Sequence, residues 1–400
     1  MPALPGKARV LIIVENLPCP FDRRVWQEAL ALVANGYEVS IICPKGRGYD
    51  ASYEVLEGIH IHRHSLPFEA DSAKGYALEY SFSLAVEFWL ALRIAFTRGF
   101  DVIQACNPPD TIFLIGRFFK LFGKRFIFDH HDINPELYEA KFNRRDIWYR
   151  LLCRLERWTF QSADVSIATN QSYRSIAIER GGMAPDRVFV VRSGPDLSRV
   201  RFLPPRPELK RGKRHLVGYV GVIGKQEGLD LLLQSVHFLR NNLGRNDIQF
   251  VIVGDGTELP ALMTLSAQLG LDDCVDFVGR VSDHDLWQIL GTTDVCVNPD
   301  RANPMNDKST MNKIIEYMAL GKPIVQFDLT EGRFSAGDAS LYARQNDTED
   351  FARKLCELLD DEPRRAAMGA SGRKRVEGEL AWHHQVPTLL QAYATALRDR

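Results

Sequence analysis

The segment NDKSTMNKIIEYMALGKPIV (Asn306–Val325) carries the pattern that sets the fold. A polar stretch enters a helix near Ser309 or Thr310, the helix ends before Gly321, and Pro323 opens a short apolar strand. Ser or Thr at such an entry satisfies free backbone N–H groups, and the positive end of the helix can receive a phosphate. Lys313 and Glu316 stand three apart and share one helix face. A carboxylate placed there can accept two hydrogen bonds from a ribose diol while the cation meets phosphate oxygens. The bland alternative is an intrahelical ion pair on a solvated face.

Outward from this unit the same alternation fills the chain. Before it, His215–Val220, Ile248–Val253, Val275–Val278 and Val295–Asn298 read as strands, and Ile324–Asp328 follows. Helical patterns lie near Leu229–Arg240, Leu259–Leu269, Asp283–Leu290, Thr310–Ala319 and Glu349–Leu359. The first half repeats the pattern. Its strands are Arg9–Val14, Glu38–Ile42, Ile59–Arg63, Val102–Ala105, Phe126–Asp129, Val165–Thr169 and Val188–Val191. Its helices include Asp22–Ala34, Tyr76–Thr97, Thr111–Phe122 and Asp146–Gln161. Continuous apolar strands alternating with helices predict parallel sheets covered on both faces. Four hundred residues exceed one ordinary core, so two tandem doubly wound, Rossmann-like α/β domains facing a cleft are expected.

The expected division is 1–200, a basic Pro-rich linker at 201–214, and 215–379. Seven of the sixteen residues from Arg199 to Arg214 are Arg or Lys, which reads as a solvated linker. Helices Arg364–Glu377 and Trp382–Leu397 close the chain. The last has apolar residues at helical spacing and needs a surface to cover.

Composition narrows the function. Apolar residues are 45%, charged residues 25% and net charge is −1, so nothing draws the chain to nucleic acid. Seven scattered cysteines without a Cys-x-x-Cys pair predict a reducing, cytoplasmic setting and no zinc site. No signal peptide is expected at the start. Phe82–Phe96 contains Glu87 and Arg93 and is too short to span a bilayer.

With those residues in view, Asn306–Val325 resembles the donor-binding signature of the GT-B-fold retaining glycosyltransferases often called family 4. That family's form is Ser-x-x-x-Lys-x-x-Glu-Tyr-Met-Ala-x-Gly-Lys-Pro. The likeness runs along the chain through Arg9–Val14, His131-Asp132-x-x-Pro135, Gly218–Gly221, Val253–Gly256 and Phe277–Val281. It implies a final helix crossing back to the first domain and a nucleoside-diphosphate sugar, such as a UDP- or GDP-sugar, as donor. It places Glu316 on the ribose, backbone near Val281 on the base, and no metal at the diphosphate. Two departures stand out. The first of a common pair of glutamates falls at Lys308, and the usual Arg and Lys of a diphosphate clamp fall at Val222 and Glu227. The remaining cations are Lys225, Lys308, Lys313 and Arg280, with the backbone of the Gly221–Gly224 turn; Lys225 and Lys313 are the predicted pair. Gly254 and Asp255, in a strand-to-helix turn, are expected to line the nucleotide side.

In the first domain, Phe128-Asp-His-His-Asp-Ile-Asn-Pro-Glu136 lies at a strand end. Histidine there can bond a sugar hydroxyl and aspartate can orient the imidazole, and the likeness to the family's His-Asp-x-x-Pro pattern implies His131 and Asp132 as the donor-sugar contacts, ahead of His130. Asp110 reads first as an N-cap and then as an acceptor contact. Arg23 and Arg24 start a helix, where cations oppose the dipole unless an anion is near, so one is expected to meet phosphate or an acidic acceptor. Aromatic and basic residues interleave from Thr111 to Phe126. A core-packed helix with a basic outer stripe is the preferred reading, ahead of a lipid-facing one that would bring the chain to the inner membrane face. The expected reaction is sugar transfer to an acceptor hydroxyl, on a glycan or a lipid-linked glycan. A catalytically quiet nucleotide-sugar binding protein and a nucleotide-sugar epimerase are the rivals. A dehydrogenase is disfavoured because no Gly-x-Gly-x-x-Gly follows the first strand.

Overall fold

A computed structural model describes residues 8–65 and 73–398. The chain forms two compact units: Met1–Ser193 with Gln385–Arg400, and Gly194–His384.

The first unit holds β1 (Arg9–Ile13), β2 (Glu38–Pro44), β3 (Tyr53–Leu56), β4 (Ile59–His64), β5 (Val102–Cys106), β6 (Arg125–His130), β7 (Val165–Ala168) and β8 (Val188–Val190). Their order is β3-β4-β2-β1-β5-β6-β7-β8. All neighbours are parallel except the β3–β4 hairpin. Leu11, Ile12 and Ile13 are fully buried, as strands covered on both faces must be. The strand order reverses between β1 and β5, so their carboxyl ends open a crevice where ligands bind in such sheets. Helix Arg23–Ala34 begins after β1, capped by the Asp22 carboxylate on the Val25 amide at 3.0 Å.

The second unit has β9 (His215–Val220), β10 (Ile248–Val253), β11 (Val275–Gly279), β12 (Val295–Asn298), β13 (Ile324–Phe327) and β14 (Ser340–Ala343). The order is β11-β10-β9-β12-β13-β14, parallel throughout. Its reversal lies between β9 and β12, so the loops after these strands flank the switch point.

Helix Trp382–Arg398 returns the chain to the first unit, where Leu389, Ala392, Tyr393 and Ala396 are buried. Those positions lie on one face of the helix, which is the surface-covering role its spacing implied.

Several boundaries differ from the sequence reading. Thr111–Phe122 is a short 3-10 turn, Asp110–Ile112, followed by helix Phe113–Lys120, and Phe122 falls in the turn that ends at Gly123. The predicted helix entry at Ser309 or Thr310 also fails. A separate short helix, Pro304–Lys308, comes first, and the main helix starts only at Asn312. The Asn303 side chain caps the short helix through the Met305 and Asn306 amides, and the Ser309 hydroxyl bonds back to the Met305 carbonyl. Ser309 therefore closes one helix rather than opening the next.

Candidate functional site

In the second unit, the loops after β9, β10 and β12 are knitted together by backbone. Gly221 donates to the Val253 carbonyl at 3.1 Å, Ile223 to Asp255 at 3.0 Å, and Glu258 to Ile223 at 3.0 Å. Gly254 has φ +145°, and a Cβ there would lie 1.9 Å from the Gly221 carbonyl oxygen. The glycines predicted to let a ligand approach are thus needed first to let two turns approach each other. The loop after β12 joins the same floor. Arg301 donates its amide to the Gln226 carbonyl at 3.1 Å, and the Asn306 side chain reaches that carbonyl at 2.8 Å.

Helix Asn312–Ala319 rises from this floor, with Ile314, Ile315, Tyr317 and Met318 buried beneath it. Lys313 Nζ donates to Asp300 Oδ1 at 2.7 Å and sits 4.8 Å from the centroid of the Tyr219 ring. Asp300 is buried, and burial raises its pKa against the opposing pull of Lys313. Glu227 is half-buried; burial raises it, Lys313 opposes, and Asp300 adds to the rise. One lysine is therefore held near two carboxyl groups of elevated pKa. Glu316 stands half-buried one turn further along the helix.

The other predicted positions are exposed or half-buried. Lys225 is exposed on the turn Lys225–Glu227, Asp255 is exposed with Oδ1 accepting from the Gly256 amide at 2.8 Å, and Arg280 is exposed after β11 with Val281 half-buried beside it. Lys308, Ser309 and Thr310 are half-buried ahead of the main helix. Gly224 lies under Glu227, whose Oε2 would be 2.8 Å from a Cβ there.

In the first unit, the carboxyl ends of β5 and β6 meet the start of helix Arg23–Ala34. The imidazole of His131 is held by Asp129, at 2.8 Å from Nε2 to Oδ2, rather than by the adjacent Asp132. The strand sets this arrangement, since residues two apart on an extended chain point the same way. Asp132 is held by its backbone: Asn107 Nδ2 donates to its carbonyl at 2.6 Å, and Asn107 Oδ1 accepts from the amides of His131 and Asp132. Burial raises the Asp132 carboxyl, partly offset by His131.

Of the two arginines, one of which was expected to meet phosphate or an acidic acceptor, Arg24 is engaged within the protein. Its Nη2 meets Asp129 at 2.9 Å and Glu28 at 3.1 Å, and its Nη1 meets the Val191 carbonyl and the Ser193 hydroxyl at 2.9 and 3.1 Å. Its terminal nitrogens are spent on the protein, because the buried Asp129 charge would otherwise lack a counter-ion. Arg23 is exposed. Arg24 Nε also lies 3.1 Å from His131 Nε2, but that nitrogen cannot accept from Arg24 while donating to Asp129. Burial lowers the His131 pKa, yet the nearby Asp129 outweighs it and the net shift is upward. The protonated ring, donating to Asp129, is the favoured form. Asp129 itself is pushed up by burial but held well below the ordinary carboxylate range by Arg24 and His131. Glu28 goes the other way, to about 8, through burial and the charge of Asp129.

Cys106, Asp129 and His131 place ligand-type atoms within 4.8 Å of one another. They do not suit a metal ion: Arg24 already supplies the positive charge, and burial pushes the Cys106 thiol up to about 12.

Asp110 is not an N-cap. Pro109 occupies that position, and Asp110 is buried as the first residue of the turn, accepting from Asn107 Nδ2 at 2.9 Å. Burial, with Glu156 nearby, raises it to about 7. His130 is fully buried against Phe128, Phe160 and Tyr173.

Sequence reasoning missed Asp129, Glu28, Gln104 and Tyr393 here, and Tyr219 and Asp300 in the second unit. Gln104 Nε2 donates to Glu28 at 2.6 Å and to Asp129 at 3.0 Å, while its oxygen accepts from the Tyr393 hydroxyl. A lone amide inside the apolar strand Val-Ile-Gln-Ala-Cys was the available signal, as was Glu28 one helical turn after Arg24.

Residues 22–199 match Glycosyltransferase Family 4, and residues 214–361 match Glycosyl transferases group 1. Among curated relatives, the D-inositol 3-phosphate glycosyltransferase of Nocardia farcinica is 30% identical over 256 residues, 60% of this chain and 55% of that protein. The 2-deoxystreptamine glucosyltransferase of Streptomyces kanamyceticus is 24% identical, over 70% of this chain and 72% of its own. The chain thus spans little more than half the length of the first of these relatives. In fold, the chain is similar to the sucrose-phosphate synthase of Thermosynechococcus elongatus, with TM-score 0.81 and 18% identity over 98% of this chain and 100% of that one. It is also similar to HepE of Anabaena in complex with UDP and glucose, with TM-score 0.72 and 16% identity over 98% and 99% of the two chains. Two parallel-sheet α/β domains with a returning C-terminal helix are the GT-B architecture that the sequence implied.

Proposed function

We propose that this chain, which belongs to the group 1 and family 4 glycosyltransferases, moves a sugar from a nucleoside-diphosphate donor to an acceptor hydroxyl and retains the anomeric configuration. The observation that carries the reading is the Lys313–Glu316 helix rising from three interlocked loops at the switch point of the second sheet. In this reading, 215–379 binds the donor, and 1–200, completed by 380–400, faces the acceptor. Glu316 accepts from the ribose hydroxyls. Lys313 and Lys225 meet the diphosphate and stabilise the charge that develops as it leaves. Gly221, Gly224 and Gly254, without side chains, let the phosphates approach closely, and Val281 meets the base. His131, charged and held by Asp129, donates to a hydroxyl of the transferred sugar. A relative from Corynebacterium glutamicum is described as GDP-mannose-dependent, and the HepE neighbour holds UDP, so both bases belong in any donor panel. The acceptor is a glycan or a lipid-linked glycan.

A second reading, nucleotide-sugar binding with little turnover, is favoured by one feature. Where the family commonly carries clamp cations, Val222 is 65% exposed and Glu227 brings a carboxyl group, while Lys313 is already engaged by Asp300.

Incubation with UDP- and GDP-sugars and a panel of hydroxyl acceptors, read by nucleotide release and by NMR of the product anomer, tests the proposal. Release with a retained product is expected. Binding without release supports the second reading, and an inverted product contradicts the first. Interconverted donor without released nucleotide would make the chain an epimerase.

A further inference from the structure

Exposed large apolar side chains concentrate on neighbouring helices of the first unit, and the exposed charged residues among them in the described stretches are basic. Helix Ala73–Thr97 presents Phe82, Trp89 and Phe96 at successive intervals of seven, which keeps them on one face. Phe96 is 87% exposed, and Arg93 lies 5.9 Å from the Trp89 ring. Helix Phe113–Lys120 presents Leu114 and Arg117, and the turn after it presents Leu121, 80% exposed, and Phe122. Helix Ile147–Ser162 presents Ile147, Trp148, Leu151 and Trp158, interleaved with exposed Arg150, Arg154 and Arg157.

Topology sets these three helices side by side. They precede β5, β6 and β7, and the chain advances the same way across the sheet each time, so right-handed crossovers put all three on one face. Ring contacts link them: Phe88 to Phe118 at 4.9 Å, and Phe113 to Trp158 at 6.4 Å.

The acids tell the occupant apart. Glu87 and Glu156, the acidic residues of the described 81–97 and 147–162 stretches, are both fully buried, and 113–124 contains none. A protein-facing patch needs no such one-sided charge. Tryptophan, large aliphatics and arginine, with no exposed acid in these described stretches, are what an anionic bilayer surface selects: rings at the headgroup level, cations on phosphate.

We propose that this face docks on the surface of a bilayer rich in anionic phospholipid, without crossing it. Among the described residues, no helix is long and apolar enough to span. This inference is independent of the transfer reaction.

The test is co-sedimentation of the full chain with vesicles of phosphatidylcholine alone and with about 30% phosphatidylglycerol, at low and high salt. Binding to the anionic vesicles only, weakened by salt, with a blue shift of tryptophan fluorescence, is expected. R150E, R154E and R157E combined should lower binding at least tenfold, and Ile147→Ser with Trp148→Ser should do the same, with far-ultraviolet circular dichroism and melting temperature unchanged. Equal binding to neutral vesicles, no vesicle binding, or charge-reversed variants that bind as before would overturn the proposal. So would a concentration-dependent dimer that the Ile147 and Trp148 variants abolish, since the face would then be covered by a second copy.

Discussion

Glu28 is a carboxyl group with no solvent, one amide, one arginine and one carboxylate for company, and its pKa of about 8 has a consequence for pH. Its folded value lies above its ordinary 4.5, so its contribution to stability is complete below that value and is lost as pH rises towards 8. His131, also raised, acts in the same direction above its ordinary 6.5, and Asp110 does so up to about 7. Asp129 has the opposite sign, but it titrates below its ordinary 3.8 and is silent in this window. Stability, followed by thermal melting, should therefore fall from pH 5 to pH 8, by at most about 1.4 kcal/mol per pH unit for each such group. Glu28→Gln keeps a neutral side chain and should flatten that slope, ending more stable than the wild type at pH 8. An unchanged slope would remove Glu28 from the account. The residue scale was also where the sequence was least legible. His131 and Lys313 could be picked out because they lie in contiguous motifs. Asp129, Glu28 and Tyr393 partner through space across as many as 289 positions, and no local pattern records that.

Among elements, most strands that were read correctly are buried on both faces and so are continuously apolar, as in β1, β7, β10 and β13, while β4, β8 and β11 were read although half-buried or exposed positions interrupt them. β3 and β14, short strands at sheet edges, escaped. β3 reads exposed and half-buried in alternation, which dilutes the apolar signal. Helix Asn312–Ala319 was placed, but its start was set too early, because Ser309 and Thr310 look like caps and the preceding Pro304–Lys308 turn has too few residues to show a period. The glycine turns after β9 and β10 give the sharpest element-scale prediction. Gly254→Ala would drive a methyl group into the Gly221 carbonyl at a positive φ, and the turns must separate. A loss of about 2 kcal/mol or more in denaturant unfolding is expected, together with weakened nucleotide binding. Wild-type stability in that variant would mean the two turns are not locked.

At the scale of the whole molecule, the two switch points and the returning helix make the architecture. The last helix is part of the first unit's core: Tyr393 is fully buried, packs edge-on against Tyr37 at 5.7 Å, and bonds Gln104, which in turn reaches Glu28 and Asp129. Tyr393→Phe should cost about 1–3 kcal/mol by leaving that amide oxygen unpaired. Tyr393→Ala should cost about 3–5 kcal/mol through the cavity as well. Equal effects of the two would show that the hydroxyl contributes nothing. The central claim is that a nucleoside-diphosphate sugar binds through the helix bearing Lys313 and Glu316. Calorimetric titration of UDP- and GDP-sugars into the wild type and into Glu316→Ala tests it most directly. A donor that binds the wild type and is lost from a variant with unaltered melting temperature is the expected result; equal affinity in both would contradict the account.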